Sequence, residues 1–363
     1  MIAEKSHSRK TNMNCRYHDI GPEYFASLLG SEEYPTEILS CDRDGVHDEH
    51  QSNPNMARWR VVYRKDDCRY VASFVSKRFT HGHEKEIPIY RWLQDNTDVN
   101  MPGLVDYCYD PKRDNCWMLT DNWINFKDME YYYLCRYIFA PDNTWPPATE
   151  PYEPDEAYTI PLADLHGKTL RKNWERVDHG PIPVYEPPLS FDVDLPNIER
   201  TFAEERVLVD TSTRGKLVHI VDFMGKLSPT KLYERIRKHI AITHGSMNFQ
   251  EVGFRIDPDF KPLWCLFDWE SARIAPIYFD LAQVHYSMGK AIGENQLSWY
   301  INEVCRLSGI RLDPGEVREA IDIAYLLLGL ERLAWAAISA GGERLDALLK
   351  RLELLQSKTD MNA

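Results

Sequence analysis

Apolar and polar residues alternate twice early in the chain, at Arg58-Trp-Arg-Val-Val-Tyr63 and at Tyr70-Val-Ala-Ser-Phe-Val-Ser-Lys77, with Lys65-Asp-Asp67 between them. Alternation on both sides of a polar turn predicts an antiparallel hairpin. Glu84 to Gln94 carries Ile87, Tyr90 and Leu93 at helical spacing, so a helix is expected there, with Pro88 in its first turn or at a kink. Pro102 to Tyr109 and Cys116 to Thr120 read as two further strands around the turn Asp110-Pro-Lys-Arg-Asp-Asn115. Residues before about 55 are polar and irregular, and Cys41 to His50 is charged enough to be a loop or an edge.

Beyond Asp121-Asn-Trp123 the pattern changes. Tyr131, Tyr132 and Tyr133 fall in an aromatic helix candidate, Pro141 to Pro154 should run extended, and Leu162-Ala-Asp-Leu-His-Gly167 reads as the end of a short helix. Residues 173 to 200 hold several prolines and little periodicity. Pro229 to Ile240 predicts a helix with proline in its first turn, and from about residue 280 onward every segment reads helical. Ala324 to Ala340 is apolar enough to be buried, whereas Leu345 to Leu355 is amphipathic. Strands first and helices later, with a hinge near Asp121, imply an α+β protein of two unequal lobes, residues 1–122 and 123–363.

Composition narrows the function classes. The 363 residues include 56 acidic and 43 basic side chains, a formal charge of -13, which disfavours nucleic acid and anionic membrane as partners. No stretch of about 18 apolar residues and no apolar leader occurs, so a cytoplasmic protein is expected. Eight cysteines without a CxxC pair fit reduced thiols rather than a zinc site or a disulfide framework.

Candidate chemistry starts at Leu263-Trp-Cys-Leu-Phe-Asp-Trp-Glu270, an apolar strand that ends in acidic residues. A carboxylate at a strand end is suited to holding a divalent metal by oxygen ligation, although Asp268 would also serve simply to cap the following turn. Upstream stands Thr243-His-Gly-Ser-Met-Asn-Phe-Gln-Glu251. Together with Phe267-Asp-Trp-Glu-Ser-Ala-Arg-Ile-Ala-Pro-Ile-Tyr-Phe-Asp-Leu-Ala282, this segment resembles the aminoglycoside phosphotransferase and choline kinase branch of the protein-kinase-like fold. There the first segment reads HGDxxxxN and the second IDWExAxxGxxxxDLA.

The resemblance covers most of the chain and implies a two-lobed kinase-like fold, an antiparallel-sheet N-lobe and a mostly helical C-lobe that use ATP or another nucleoside triphosphate with Mg2+. Lys77 then matches the lysine that binds the nucleotide phosphates, with Glu86 as its ion-pair partner and Glu84 as the runner-up. Asp121 to Trp123 would contact the base, Asp268 would hold magnesium, and Asp280 would brace the loop around His244. His166 reads as structural.

Three departures stand against this pattern. The catalytic aspartate after His244-Gly is Ser246, whose hydroxyl is no carboxylate base. The metal-ligating asparagine is Glu251, an oxygen ligand that keeps metal binding open. The phosphate-covering loop, expected to be small and glycine-rich, is acidic around Gly45, with Asp42, Asp44, Asp48 and Glu49 nearby. A degenerate, pseudokinase-like protein that binds nucleotide or a protein partner is therefore expected. The alternative is an active magnesium-dependent phosphotransferase acting on a small-molecule or peptide hydroxyl. His81, His83 and Glu84 form an HxHE cluster that lacks a separated third ligand and reads as a polar helix entry. Gly245-Ser246-Met247 fails the GxSxG spacing of a serine hydrolase. Aromatic residues near Trp123 fit either packing or a cation-binding wall.

Overall fold

The computed structural model describes residues 16–31, 35–48, 51–80, 82–121, 123–125, 154–171, 174, 178–189, 198, 200, 210–247, 251–256, 262–288, 291–331, 333 and 343–360. The expected helix at Tyr131–Tyr133 and most of the proline-rich stretch after it lie outside these residues. The chain divides into two compact units, Met1–Pro147 with Val252–Glu270, and Ala148–Glu251 with Ser271–Ala363.

The first unit is built on a five-stranded antiparallel sheet of β1 (Glu37–Asp48), β2 (Gln51–Lys65), β3 (Cys68–Arg78), β4 (Leu104–Asp110) and β5 (Asn115–Asp121), in the order β1-β2-β3-β5-β4. The predicted hairpin is β2–β3, with Lys65 opposite Cys68 and Met56 opposite Lys77. Its turn residues Asp66 and Asp67 both have positive φ, 51° and 60°, the pairing that a tight two-residue hairpin requires and that aspartate tolerates better than most residues. The charged segment 41–50, expected to be a loop or an edge, is edge over most of its length. It belongs to edge strand β1, where Gly45 pairs with Ala57.

The residues before β1 are not irregular throughout. A 3-10 turn (Tyr17–Asp19) and helix α1 (Pro22–Leu29) place Tyr17, Ile20 and Phe25 on the sheet beside Trp59, Phe74 and Trp117. Successive strand residues face opposite sides. Phe74 and Ser76 therefore face α1, where Ser76 accepts from Trp59 Nε1 at 2.8 Å. Val75 faces the other side and packs with Trp123, Cys265 and Phe267. Helix α2 (Glu86–Asn96) buries Ile87, Ile89, Tyr90 and Leu93, and Pro88 sits in its first turn, where no intrahelical donor is lost. A small sheet of β6 (Ile124–Asn125), β8 (Val252–Ile256) and β9 (Pro262–Leu266) completes the unit.

The second unit is mostly helical: α3 (Pro154–Thr169), α4 (Thr211–Met224), α5 (Pro229–Ile236), α6 (Tyr278–Met288), α7 (Glu294–Ser308), α8 (Pro314–Glu331) and α9 (Glu343–Asp360). Helix α5 stops at Ile236 rather than Ile240, because Arg237 leaves helical geometry (ψ 51°) and Ile240–Thr243 forms strand β7 against β10 (Arg273–Pro276). Helix α4 starts at an N-cap that its sequence carries, Asp210 accepting from Thr213 N at 2.8 Å. No helix among the described residues is long and apolar enough to cross a membrane.

A pH-sensitive contact lies among α6, α8 and α9. The His285 imidazole is 9% exposed, lies 4.8 Å from the Tyr325 ring, and accepts from the Arg351 guanidinium at 3.1 Å. Burial and the Arg351 charge push its pKa down to about 4. A depressed histidine contributes stability that is full above its unfolded pKa and lost as pH falls through the folded value, here between about 6.5 and about 4. We expect an acid limb in thermal denaturation over that window, worth on the order of 3 kcal/mol at its foot, and a visibly shallower limb in His285→Gln. An unchanged limb in the variant would assign the acid sensitivity elsewhere.

Candidate nucleotide and catalytic-loop sites

In the first unit, Lys77 lies near the end of β3 and its ammonium group is held between two carboxylates. Nζ is 2.6 Å from Glu86 Oε2 and 2.6 Å from Asp268 Oδ1. Of the two glutamates considered from the sequence, Glu86 is the partner, while Glu84 accepts instead from the Gly82 amide at 2.5 Å. Burial works against the Lys77 charge, but Glu86 and Asp268 outweigh it and hold its pKa above the ordinary lysine range. Glu86 is fully buried and its Oε1 has no hydrogen-bond partner among the described residues, and burial pushes its pKa up to about 7 against the pull of Lys77.

Asp268 follows β9 in a left-handed conformation, φ 69°, and its side chain is 37% exposed. An exposed carboxylate on a sharply turned backbone meets the donor requirement of magnesium, which takes one or two protein carboxylates and fills its octahedron with phosphate oxygens and water. Among the described residues no group of three or more metal-ligating side chains converges. Trp123 stacks on Phe267 at 3.7 Å between ring centroids, which makes an aromatic wall immediately before Asp268. Asp121 is committed within the sheet: its carboxylate accepts from Gly103 N at 2.6 Å, and its own amide donates to Gly103 O at 2.9 Å.

Only part of the HxHE cluster falls among the described residues. His81 lies outside the described residues, and His83 Nδ1 contacts Glu270 Oε2 at 2.5 Å. That pairing had no signal in the sequence beyond two polar residues in separate segments.

In the second unit, the loop after β7 is organised by one buried carboxylate. Asp280 accepts from the amides of His244 (2.7 Å) and Gly245 (2.9 Å) and contacts His166 Nε2 at 3.1 Å. Burial alone would raise its pKa, but His166, the nearby His244 and the Gly245 amide together hold it below the usual carboxylate range. His166 is fixed in turn by Tyr300 at 2.6 Å from Nδ1, the structural position expected for it. Gly245 has φ 80°, and a Cβ there would stand 2.1 Å from the Ser271 carbonyl oxygen, so no other residue fits this turn without displacing backbone.

His244 is fully buried, and its Nδ1 donates to the Ser246 carbonyl at 2.9 Å. Ser246 Oγ donates to Glu251 Oε1 at 2.8 Å, and Glu251 is 4% exposed. The Ser246 hydroxyl is thus committed to the Glu251 carboxylate. Tyr158, on α3, was not singled out in the sequence. Its phenol pKa is raised by burial and by the neighbouring Glu251 charge.

No family model matches the chain, and no curated protein does. Among solved structures, the chain is similar to the GDP complex of wild-type aminoglycoside 2'-phosphotransferase-IIIa, at 16% identity, covering 90% of this chain and 94% of that one with a TM-score of 0.43. It is also similar to the ethanolamine kinase of Plasmodium vivax (10% identity, 87% and 82% covered, TM-score 0.44). A third is the choline kinase of Streptococcus pneumoniae (12% identity, 92% and 97% covered, TM-score 0.37). The structural neighbours across about nine-tenths of the chain are thus aminoglycoside phosphotransferases and choline and ethanolamine kinases. The architecture of the chain itself is α+β, a five-stranded antiparallel sheet in the first unit and a mostly helical second unit. At these identities the functional reading rests on the chain's own side chains.

Removing one partner of a buried ion pair leaves an uncompensated charge and costs about 3–5 kcal/mol, whereas removing both costs less. Lys77→Met should therefore destabilise the protein by about 3 kcal/mol in denaturant unfolding. Adding Glu86→Gln should recover about 1 kcal/mol or more of that loss. Additive effects of the two substitutions would mean that Lys77 and Glu86 are not coupled.

Proposed function

We propose that the chain is a kinase-like nucleotide-binding protein in which the nucleotide-and-metal machinery is retained and phosphoryl transfer is crippled. The observation that carries this reading is the position of Lys77 between Glu86 and Asp268, because an ammonium fixed beside a turned, half-exposed carboxylate provides both charges that a magnesium-bound polyphosphate needs. Lys77 would contact the phosphates and Asp268 would ligate magnesium. Trp123, on the Phe267 side of the same segment, would cover an aromatic base. Magnesium, when bound, supplies charge neutralisation on the phosphates.

The crippled step follows from Ser246. Phosphoryl transfer places a carboxylate where the acceptor hydroxyl loses its proton, and a serine hydroxyl of ordinary acidity does not take that proton. A specific observation favours a second reading, an active phosphotransferase acting on a small-molecule or peptide hydroxyl. The Ser246 hydroxyl already donates to the Glu251 carboxylate, so a carboxylate stands one hydrogen bond behind the vacated position. Positioning and electrostatics supply most of the catalysis in such reactions, which leaves room for that arrangement.

Release of phosphate from ATP in the presence of magnesium separates the two. Under the first reading wild-type turnover stays at the background of Asp268→Ala, and Ser246→Asp raises it by on the order of 10²-fold. Wild-type turnover well above that background, lost in Glu251→Gln, would overturn the first reading in favour of the second.

A further inference from the structure

Arg273, the first residue of β10, stands in the second unit without a counterion. Its side chain forms no ion pair among the described residues, and its Nε–H is buried with no acceptor. The residue as a whole is only half-buried. Buried polar groups are normally satisfied, and this chain carries 56 acidic side chains that could have supplied a carboxylate.

The backbone that carries Arg273 is fixed on both sides. It pairs with Thr243 of β7, whose Oγ1 donates to the Arg273 carbonyl at 3.0 Å. Beyond β10, Ile274 N donates to the Pro183 carbonyl at 2.8 Å, and Tyr185 N donates to the Ile274 carbonyl at 2.9 Å. That second pairing brings the Tyr185 ring to the guanidinium. Arg273 Cζ lies 4.5 Å from the Tyr185 centroid and 5.2 Å from that of Phe279 on α6. Tyr233 of α5 completes the cluster, 5.5 Å from Tyr185 and 6.5 Å from Phe279 between centroids. All three rings are buried. Their faces attract a cation but offer no oxygen to its N–H donors.

The acids nearest to this cluster do not neutralise it. Glu234, on the same helix as Tyr233, pairs with Arg237 at 3.6 Å. Glu186, next in sequence to Tyr185, is exposed and makes no ion pair with Arg273.

Packing alone is one explanation of such a residue, and Arg351 shows the form that it takes in this protein. The Arg351 guanidinium lies 4.1 Å from the Tyr325 centroid, but it also pairs with Asp322 at 2.9 Å and donates to the Ala347 carbonyl at 3.2 Å. Arg273 has the aromatic support and neither acceptor.

We propose that Arg273 anchors a binding site for the carboxylate of a small molecule. A guanidinium supported by rings is held in one orientation and presents its in-plane donors as a fork, which a carboxylate meets with two parallel hydrogen bonds. The enclosed Nε leaves the two terminal nitrogens as the edge that a ligand meets. One positive charge matches one carboxylate, whereas a phosphate ester brings about two negative charges to a chain whose formal charge is already -13.

The test is a heteronuclear NMR titration of the full chain. It follows the Ile274 and Tyr185 amide resonances, which flank Arg273 and survive its substitution. Sodium benzoate, inorganic phosphate and a short capped peptide with a single glutamate are added separately at constant ionic strength, with sodium chloride as the control. We expect a saturable shift with benzoate, weaker binding of phosphate and no shift with chloride. Benzoate binding should weaken about tenfold in Arg273→Lys, which keeps the charge and loses the fork, and vanish in Arg273→Met. Thermal melting should show both variants folded, and Arg273→Met no less stable than the wild type, because it removes an unmatched charge. Absence of a benzoate shift in the wild type, or undiminished binding in either folded variant, would overturn the proposal. A lower melting temperature in Arg273→Met without benzoate binding to the wild type would make Arg273 a packing residue. Tighter binding of phosphate than of benzoate would overturn the carboxylate assignment, and binding of the peptide alone would overturn the small-molecule one. None of these outcomes depends on nucleotide binding at Lys77, which belongs to the other unit.

Discussion

The Lys77 ammonium, held between Glu86 and Asp268, is the constraint on which the first unit depends. It joins residues 9 and 191 positions away in sequence through contacts of 2.6 Å each. Glu86 is fully buried, and a buried carboxylate with one unpaired oxygen is tolerated only beside a fixed cation. The same contact draws the segment after β9 to the end of β3. An interaction of this cost, placed next to a backbone turned to φ 69°, reads more naturally as charge preorganised for a ligand than as a stabilising device.

A second buried carboxylate plays the corresponding part in the helical unit. Asp280 satisfies two consecutive loop amides and one imidazole, and Gly245 supplies the only backbone that lets the loop turn beneath Ser271. The loop around Ser246 is therefore held in a fixed turn by Asp280 and Gly245. Loss of chemistry with retention of geometry would concentrate the change in the Ser246 and Glu251 side chains rather than in the fold.

Much of this was legible in the sequence where one local rule dominated. Period-two alternation fixed the β2–β3 hairpin and placed Lys77 near its end. The resemblance pointed to Glu86 as the partner of Lys77 with Glu84 as runner-up, and the structure pairs Lys77 with Glu86 on the buried face of α2. The strand before Asp268 followed from its apolar run, and the bracing Asp280 from the motif resemblance. Helix α1 was missed because eight residues offer too few turns for a periodic signal, and the charged part of β1 stayed open between loop and edge because an edge strand tolerates the charges that mark loops. The end of α5 was misplaced because the β-branched run Ile240–Thr243 pairs with β10, far away in sequence.

The central claim is that Lys77 and Asp268 form a working site for a magnesium-bound nucleotide. Calorimetric titration of ATP into the purified protein, with and without magnesium, tests it most directly. The account predicts saturable binding at one site that requires magnesium and disappears in Asp268→Ala. No binding in the presence of magnesium, or equal binding without it, would contradict the account.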